Sequence, residues 1–278
     1  MMRGRAKRWS VISAMAVVAV LAIVSGCSNE LMDVEVEESE PETQEEPETY
    51  TVSFNRQGGI GGSTSVVATL EQPMPPATAP TKEDAGFYGY YTGPNGTGTQ
   101  YYTAAMESAR DWDLPADTEL IAYWIEVGGV GPAGGIVFYD KDEYTEGWRY
   151  LETWTADEDG TYQWKTANTE TPGTSTGVGS GYENTYSAMT GTEHPAAEVV
   201  RNATHGGYDD WFLPSRDELN EMYENLHEEG LGGFASAPYW SSSEVSALNA
   251  WRQLFYGSGS QGGVNKGNGV RVRAARAF

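Results

Sequence analysis

Short apolar segments with strand-like spacing dominate the chain between residues 50 and 126. Residues 50–54 (YTVSF) alternate apolar and polar positions, and short apolar runs recur at 65–70, 87–91 and 120–124. Runs of this length bounded by glycine and proline predict β-strands. The glycine-rich stretch 126–132 (EVGGVGP) then marks a boundary with the rest of the chain.

The region after this boundary mixes strand and helix patterns. Strands are predicted at 134–139 and 148–152, a Gly/Ser/Thr-rich loop at 171–181 and a short helix at 194–204. The clearest helix start is at Ser215, whose hydroxyl can cap the N–H of Glu218 while the Glu218 carboxylate reaches back, as in a capping box.

The helix that starts at Ser215 has one apolar face. Gly230 is placed to end it. The residues at helical spacing are Leu219, Met222, Tyr223 and Leu226. We therefore predict an amphipathic helix with a structural role, packed on Trp240, Trp251 and Phe255.

The final forty residues alternate between two kinds of position. Large, anchored residues end in the run 271–278 (RVRAARAF), which is predicted to be a strand, while small or irregular residues recur at 245–248, 257–260, 262–265 and 267–270. A rigid scaffold that carries adaptable loops is a common way to build a binding site. A glycine-rich hairpin that only closes the sheet is the alternative. The predicted framework comprises Trp211, Pro214, Ser215, Glu218, Trp240, Trp251, Phe255, Arg273 and Phe278.

The N-terminus has the pattern of an export signal. Residues 1–8 are basic, and the apolar run 11–24 is shorter than the about 20 residues that a membrane span needs. Residues 24–27 (VSGC) resemble the lipobox of bacterial lipoproteins, which implies cleavage before Cys27 and a membrane anchor through lipid on its sulfur. Ser28 is compatible with export to an outer surface. A plain signal peptide or an uncleaved anchor is the alternative.

Strong acidity limits the partners of this chain. The formal net charge is -23, and residues 1–26 contribute basic charges alone, so the processed chain is more acidic still. Such a chain repels phosphate backbones and anionic lipid, which argues against nucleic-acid binding. Residues 28–49 contain ten acids, no basic residue and no aromatic side chain, which predicts an extended, disordered tether.

The β-rich region resembles a single Listeria–Bacteroides repeat, also called the internalin B-repeat. The matching segments are TYTVSFNRQGG, MPPATAPTKEDAGFYGYYTGPNGTGTQYY and SARDWDLPADTELIAYW. The resemblance implies a small β-grasp-like unit that serves bacterial surface proteins as a spacer or weak interaction module. Its aromatic residues are expected to form the core, with a sugar-binding platform as the alternative; they are Tyr88, Tyr90, Tyr91, Trp112 and Trp124.

The second region resembles the C-terminal domain of Legionella collagen-like proteins. The matching segments are GPAGGIVFYD, GYDDWFLPSRDELNEMY, YWSSSE and VRVRAARAF. That family is related to the C-type-lectin-like fold of formylglycine-generating enzymes. The resemblance implies an α+β, C-type-lectin-like domain with a twisted antiparallel sheet, two helices, long loops at one end, and ligand binding at a cell surface.

The sequence carries few groups suited to catalysis or metal binding. Cys27 is its one cysteine, so the cysteine chemistry of formylglycine-generating enzymes is not available to the domain. The three histidines are isolated from one another, and there is no GxSxG elbow. Acidic clusters at 140–143 and 157–160 could hold calcium, but solvated acidic turns are the preferred interpretation. We expect a binding protein without cofactor or metal, and not an enzyme.

Lectin-fold domains of this type are among the targets of diversity-generating retroelements, which rewrite codons at template adenines. Template AAC codons diversified in this way encode a set of fifteen residue types that never includes Met, Gln, Lys, Glu or Trp. In 245–270 the residues outside the compatible set are Trp251, Gln253, Gln261 and Lys266. The compatible set includes the glycines Gly257, Gly259, Gly262, Gly263, Gly267 and Gly269, together with Val270. The candidate ligand-binding residues are Val245, Ser246, Ala247, Leu248, Asn249, Arg252, Leu254, Tyr256, Ser258, Ser260, Val264, Asn265 and Asn268. An ordinary Gly/Ser-rich loop region fits the same pattern.

The sequence thus predicts a lipid-anchored protein of the bacterial outer membrane or cell surface. Its parts are a signal peptide (1–26), a lipidated tether (27–49), a β-repeat (50–126) and a lectin-like domain (130–278) with a candidate variable region at 244–270. Two functions stay open. The C-terminal domain binds a protein or glycan ligand, or the chain is a structural and adhesive envelope protein whose contacts are made by the repeat.

Overall fold

Eleven β-strands and three short helices are found in residues 46–278, the part of the chain that the computed structural model describes. Strands hold many more residues than helices, so the chain is β-rich. The predicted signal peptide, Cys27 and most of the predicted tether lie outside the described residues. The first strand begins at Thr49, which places the end of the tether one residue earlier than predicted.

The first region forms a five-stranded mixed sheet in the order β2-β1-β5-β3-β4. Its strands are β1 (Thr49–Asn55), β2 (Ser65–Thr69), β3 (Gly86–Tyr91), β4 (Gln100–Thr103) and β5 (Thr118–Ile125), with a 3-10 turn at Pro94–Gly96. The central pair, β1 and β5, is parallel, and the other pairs are antiparallel. The four strands predicted from apolar runs are confirmed. Strand β4 was not predicted, because its four residues are too few to show a period.

Aromatic side chains fill the core of this sheet. The ring of Phe54 stacks on Tyr90 with centroids 4.4 Å apart, and Tyr102 meets Phe54 edge-on at 5.6 Å. Of the five aromatic residues singled out in the sequence, Tyr90, Tyr91 and Trp112 are buried. The other two are half-buried and also pack on apolar clusters. The prediction of a core is confirmed over that of a sugar-binding platform.

The second region contains two three-stranded antiparallel sheets, in the orders β11-β7-β6 and β10-β9-β8. The strands are β6 (Ile136–Thr145), β7 (Trp148–Thr153), β8 (Pro238–Glu244), β9 (Asn249–Leu254), β10 (Gln261–Asn265) and β11 (Ala275–Ala277). The helices are α1 (Gly181–Glu183), which continues as a π-helical turn (Asn184–Ala188), α2 (Pro195–Arg201), and α3 (Arg216–Met222), which continues as a second π-helical turn (Tyr223–His227). The last strand therefore returns to pair with the strands that begin the region.

The capping box predicted at the start of α3 is present. The Glu218 N–H donates to the Ser215 hydroxyl at 3.2 Å, and the Ser215 N–H donates to the Glu218 carboxylate at 2.6 Å. The predicted stripe is buried in full, and Gly230 takes a positive φ of 73° just after the helix. Local sequence therefore determines this helix from its start to its end.

The predicted strand at 271–278 is shorter in the structure. Regular pairing is confined to Ala275–Ala277, while Val270 and Arg271 form isolated bridges with Tyr162 and Tyr239. Between these pairings the side chain of Arg273 is fully buried and bonds to groups outside the sheet. The prediction of one continuous strand was wrong, because the residues around Arg273 do not pair with a neighbouring strand, and the Arg273 side chain bonds to Asp157 and Gly232.

The two regions share an apolar cluster at their junction. Tyr91, Tyr123 and Ile125 from the first sheet pack with Val137 and Tyr150 from the second region. The ring of the last residue, Phe278, stacks on Tyr150 at 5.5 Å and meets Tyr88 edge-on at 6.0 Å. Backbone hydrogen bonds also fix the boundary stretch. The Gly128 N–H donates to the backbone oxygen of Val137 at 2.8 Å, and the Val137 N–H donates to that of Gly129 at 2.9 Å. We call this cluster the junction cluster.

Candidate ligand-binding surface

The candidate variable region folds into the sheet β8-β9-β10 and its connections. A turn at 245–248 joins β8 to β9, a loop at 255–260 joins β9 to β10, and a turn at 266–269 follows β10. Strand β10 lies at the edge of the sheet. The two turns meet at one end of the sheet, and the loop lies at the other end.

Exposure separates the candidate binding residues from two of the four residues outside the compatible set, since Trp251 and Gln261 are half-buried like several of the candidates. All thirteen are exposed or half-buried, and Leu248 is 52% exposed. By contrast, Gln253 and Lys266, which lie within the same stretch but outside the compatible set, are both 0% exposed. Exposed apolar side chains at Val245, Leu248 and Tyr256 are the kind of contact that a partner can bury.

Lys266 anchors the turn after β10. Its buried ammonium group donates to the backbone oxygen of Thr169 at 2.8 Å and forms an ion pair with the Glu244 carboxylate. It also lies 4.8 Å from the ring centroid of Trp164. A buried cation held by three groups fixes the backbone of the turn, so that the side chains around it are free to differ.

The face of the sheet toward α3 is held by glutamine and arginine contacts. The Gln253 amide donates to Asn220 at 2.9 Å, and the Gln261 amide donates to the backbone oxygen of Arg216 at 2.7 Å. The Arg216 guanidinium lies 5.1 Å from the ring of Trp251. The four residues outside the compatible set therefore support the sheet through these contacts, with Gln253 and Lys266 fully buried and Trp251 and Gln261 half-buried.

Two of the thirteen candidate residues also shape their own turns. The hydroxyl of Ser246 accepts the N–H groups of Leu248 and Asn249 at 3.3 and 3.2 Å, and the Asn265 side chain accepts the N–H of Gly267 at 2.9 Å. Such turns are common for serine and asparagine. Substitution at these two positions should therefore change the backbone more than substitution at Val245 or Leu248.

The thirteen residues do not form one compact patch. Those of the two turns lie at one end of the sheet, and Leu254, Tyr256, Ser258 and Ser260 lie at the other. The five residues of β10 separate the two ends by about 15 Å. Gly262 and Arg252 lie opposite each other between the ends. A partner that covers roughly 800 Å² of the protein could contact both ends at once.

Two residues of the compatible set cannot belong to the displayed surface. Gly259 is buried, and a Cβ there would overlap the ring of Tyr223. Val270 is 4% exposed and packs in a core cluster with Trp164 and Trp240. Compatibility with diversified codons is a property of the codon alone, so it does not separate these buried residues from exposed ones.

The framework residues occupy three different places. Seven of the nine are buried. Trp251 is half-buried beside Arg216, and Phe278 is half-buried in the junction cluster. Of the residues predicted to pack on α3, Phe255 does so through Tyr223 at 5.4 Å, while Trp240 packs in the neighbouring cluster with Trp164 and Trp211. The predicted packing of Trp240 on α3 was wrong, because β8 presents its ring to Trp164 and Trp211, whereas Trp251 contacts α3 through the Arg216 guanidinium.

Arg273 forms the most enclosed of the framework contacts. Its guanidinium donates to Asp157 at 2.6 and 2.9 Å and to the backbone oxygens of Trp154 and Gly232 at 2.9 and 2.7 Å. The Tyr239 hydroxyl also donates to Asp157 at 2.8 Å. The acidic cluster at 157–160 is therefore not a simple solvated turn, because Asp157 is the counterion of a buried arginine. In the other cluster Asp140 forms a two-bond ion pair with Arg149.

The three histidines lie in different surroundings. His194 is buried and its ring contacts the Thr171 hydroxyl at 3.1 Å, His205 pairs with Glu158 at 2.8 Å, and His227 packs beside Phe255. Burial lowers the pKa of His194. Sites with three or more histidine, cysteine or carboxylate groups placed to hold a metal are not found within residues 46–278.

Comparison with known proteins gives little additional information. The chain matches no family model and no curated protein. Among solved structures, a fimbrial protein from Bacteroides ovatus is similar over 84% of this chain and 71% of that chain, with 16% identity and a TM-score of 0.39. A TM-score below 0.5 carries no argument about fold or function. The two family resemblances described above therefore stay predictions.

Helices in the described part of the chain are short. None of those in residues 46–278 has the length and apolar character required to span a membrane.

Proposed function

We propose that the C-terminal domain binds a protein or glycan ligand through the surface formed by the connections 245–248, 255–260 and 266–269 and the edge strand β10. The observation that carries the proposal is the difference in burial within one stretch. Thirteen candidate residues are exposed or half-buried, while Gln253 and Lys266 between them are fully buried and Trp251 and Gln261 are half-buried. A fixed frame with accessible residues of mixed chemistry suits a site whose specificity is altered by substitution.

The proposal includes a C-type-lectin-like fold for residues 130–278 and retroelement-driven diversification of the surface. Pairing of the last strand, β11, with β7 near the start of the domain supports the lectin-like interpretation. The parallel central pair of the first sheet supports the β-grasp-like interpretation of the repeat. Gln253 and Lys266 would then be constant, since their codons lie outside the diversified set.

Export and lipid anchorage complete the proposal. The lipobox-like residues 24–27 precede the acidic stretch 28–49, and the first strand follows directly at Thr49. The chain would be held at the outer membrane or cell surface by lipid on Cys27, with the acidic tether between the membrane and the folded part. We propose no enzymatic activity and no cofactor.

A second candidate function is adhesion through the repeat. Ile60 and Val67 are 72% and 62% exposed, although large aliphatic side chains favour burial. Strand β2, which contains Val67, lies at the edge of the five-stranded sheet. An exposed apolar edge is a site at which another protein can add contacts.

Matched substitutions distinguish the two candidate functions. The full chain, Leu248→Asp and Val67→Asp would be compared on a glycan array and for adhesion of cells that display them. We expect Leu248→Asp to weaken retention at least tenfold and Val67→Asp to leave it unchanged, because a carboxylate would be buried without a partner at the interface. The reverse pattern would favour the repeat as the binding region. If wild-type chain retains no glycan, the glycan part of the proposal is wrong.

A further inference from the structure

An open cavity of about 550 Å³ lies on the side of the sheet β11-β7-β6, and all of its lining residues lie outside the candidate variable region. It is formed by the tip of the β6–β7 hairpin at 146–148, the segment 179–183 that leads into α1, and residues Asp210, Phe212 and Glu218. A volume of this size is typical of small-ligand sites. We call it the acidic cleft.

Aromatic rings form one part of its lining. Trp148, Tyr182 and Phe212 contribute to the wall, and Tyr182 meets Phe212 edge-on at 6.1 Å. The Lys141 ammonium lies 3.7 Å from the ring centroid of Trp148, so this ring already contacts a cation of the chain itself. Indole is the aromatic group that attracts cations most strongly.

Four carboxylates form the other part, and they differ in how they are compensated. Asp210 pairs with Arg276 at 2.6 Å, and Glu146 lies 4.0 Å from Lys141. Glu183 accepts a hydrogen bond from the Ser187 hydroxyl at 2.7 Å. Within residues 46–278 it forms no ion pair with a basic side chain. The cleft therefore has more negative than positive charge.

Glu218 differs from the other three because it is buried and held by backbone N–H groups. It is fully buried and accepts N–H groups from Ser215, Gly179 and Gly181 at 2.6, 2.8 and 3.3 Å. Among the described residues it forms no ion pair with a basic side chain. Its hydrogen bonds are satisfied within the protein, so Glu218 adds negative potential at the wall of the cleft, and Glu183 is the exposed carboxylate that a ligand can contact.

We propose that the acidic cleft binds a guanidinium or alkylammonium group, as carried by arginine, lysine or a free amine. A planar or elongated cation would lie against the Trp148 and Tyr182 rings and approach the exposed carboxylate of Glu183, with the buried carboxyl group of Glu218 behind it. A neutral sugar would also use the aromatic rings, but it would leave the excess charge uncompensated. The proposal does not depend on the proposed function of residues 244–270.

Ligand-observed NMR titration of the full chain tests the proposal. The probes are N-acetyl-arginine methylamide, its neutral isostere N-acetyl-citrulline methylamide, and the capped peptide N-acetyl-Gly-Arg-Gly amide. We expect the arginine derivative to bind at least tenfold more tightly than the citrulline derivative. Tighter binding of the peptide than of the arginine derivative would identify a basic protein segment as the source of the cation, and equal binding would show that the cleft recognises the guanidinium group by itself.

Two conservative variants complete the test. Glu183→Gln removes an exposed carboxylate of the cleft and should weaken binding of the arginine derivative about tenfold, the effect of losing one charged contact. Glu224→Gln, an exposed glutamate outside the cleft, should leave it unchanged. Absence of binding, equal binding of citrulline, or an unaltered affinity in Glu183→Gln would overturn the proposal. Binding of a methyl glycoside that Glu183→Gln leaves unaltered would also overturn it, in favour of a neutral sugar.

Discussion

Glu218 combines three roles in one side chain. It caps α3, fixes the segment before α1 through the N–H groups of Gly179 and Gly181, and lines the acidic cleft. Burial raises the pKa of Glu218 to about 7, although the backbone and Ser215 hydrogen bonds act in the opposite direction. The ionised form is therefore less favourable in the folded chain than in the unfolded chain.

The raised pKa of Glu218 predicts a pH dependence of stability. Its contribution is fully present below its ordinary pKa of 4.5 and is lost as the pH rises through about 7. Between these values the wild-type free energy of unfolding should fall by about 3 kcal/mol relative to Glu218→Gln. Urea unfolding from pH 4 to 8 measures this, with Glu224→Gln as the control. Identical pH slopes for wild type and Glu218→Gln would contradict it.

At the scale of single residues, the sequence predicts those contacts that form between residues close together in the chain. The capping box needs Ser215 and Glu218 three positions apart, and both its bonds are present. Trp251 contacts Arg216, and Asp157 pairs with Arg273. Both contacts join residues far apart in the chain, so the pattern of residue types along the sequence could not predict them.

The loop at 255–260 shows how an element can be both displayed and anchored. Tyr256 and Ser258 are exposed, while Phe255 and Gly259 are buried. Gly257 and Gly259 both take left-handed backbone conformations, with φ of 62° and 64°. They differ in their surroundings, because a Cβ at Gly257 would meet no atom within 4 Å and one at Gly259 would overlap Tyr223.

Alanine substitution of these two glycines separates backbone strain from steric overlap. Gly257→Ala should lower the free energy of unfolding by about 1 kcal/mol, the strain of a left-handed residue with a side chain. Gly259→Ala should cost roughly 2 kcal/mol more, because the Tyr223 ring must move from its packing on Phe255. Thermal unfolding measures both. Equal losses would show that the loop is not held against α3 as described.

Elements with a clear period were predictable, and those assembled from short pieces were not. The strands at 50–54 and 120–124 alternate regularly and are present as β1 and β5. Strand β4 and the end of the chain at 271–278 could not be predicted correctly, since four residues show no period and Arg273 leaves the ladder to pair with Asp157.

On the scale of the whole folded part, the junction cluster makes the repeat a support for the second region. Phe278 contributes its ring to the cluster, and its backbone also pairs with Tyr150 on both sides, at 3.0 Å in each direction. Deleting the repeat would expose Val137, Tyr150 and Phe278. A deletion is therefore a poor test of which region binds a ligand, and the point substitutions at Leu248 and Val67 are preferable.

Phe278→Ala should weaken the junction without breaking its backbone pairing. We expect a loss of about 1–3 kcal/mol in the free energy of unfolding, from lost apolar contact of a half-buried ring. We expect calorimetry to show one transition for the wild type and two for Phe278→Ala. Tyr144→Ala removes a ring that is 70% exposed and is the control. A single unaltered transition in Phe278→Ala would show that the cluster does not couple the two regions.

The candidate surface and the acidic cleft differ in how far they could be predicted. The surface lies in one continuous stretch, so composition alone could mark it. The cleft combines residues near 146, 180, 210 and 218 that meet only in the folded chain, and their types show no pattern along the sequence. Compatible codons at Gly259 and Val270 also show that composition marks a stretch but not each position within it.

Deep sequencing of the codons for residues 244–278, across cells of one strain, tests the account most directly. The account predicts substitutions concentrated at the thirteen exposed and half-buried positions, with constant codons at Gln253, Lys266, Gly259 and Val270, and an adenine-rich template repeat beside the gene. A uniform sequence without such a template would contradict diversification, and the surface would then be an invariant one. Substitutions spread equally over the buried positions would contradict the division into frame and displayed surface.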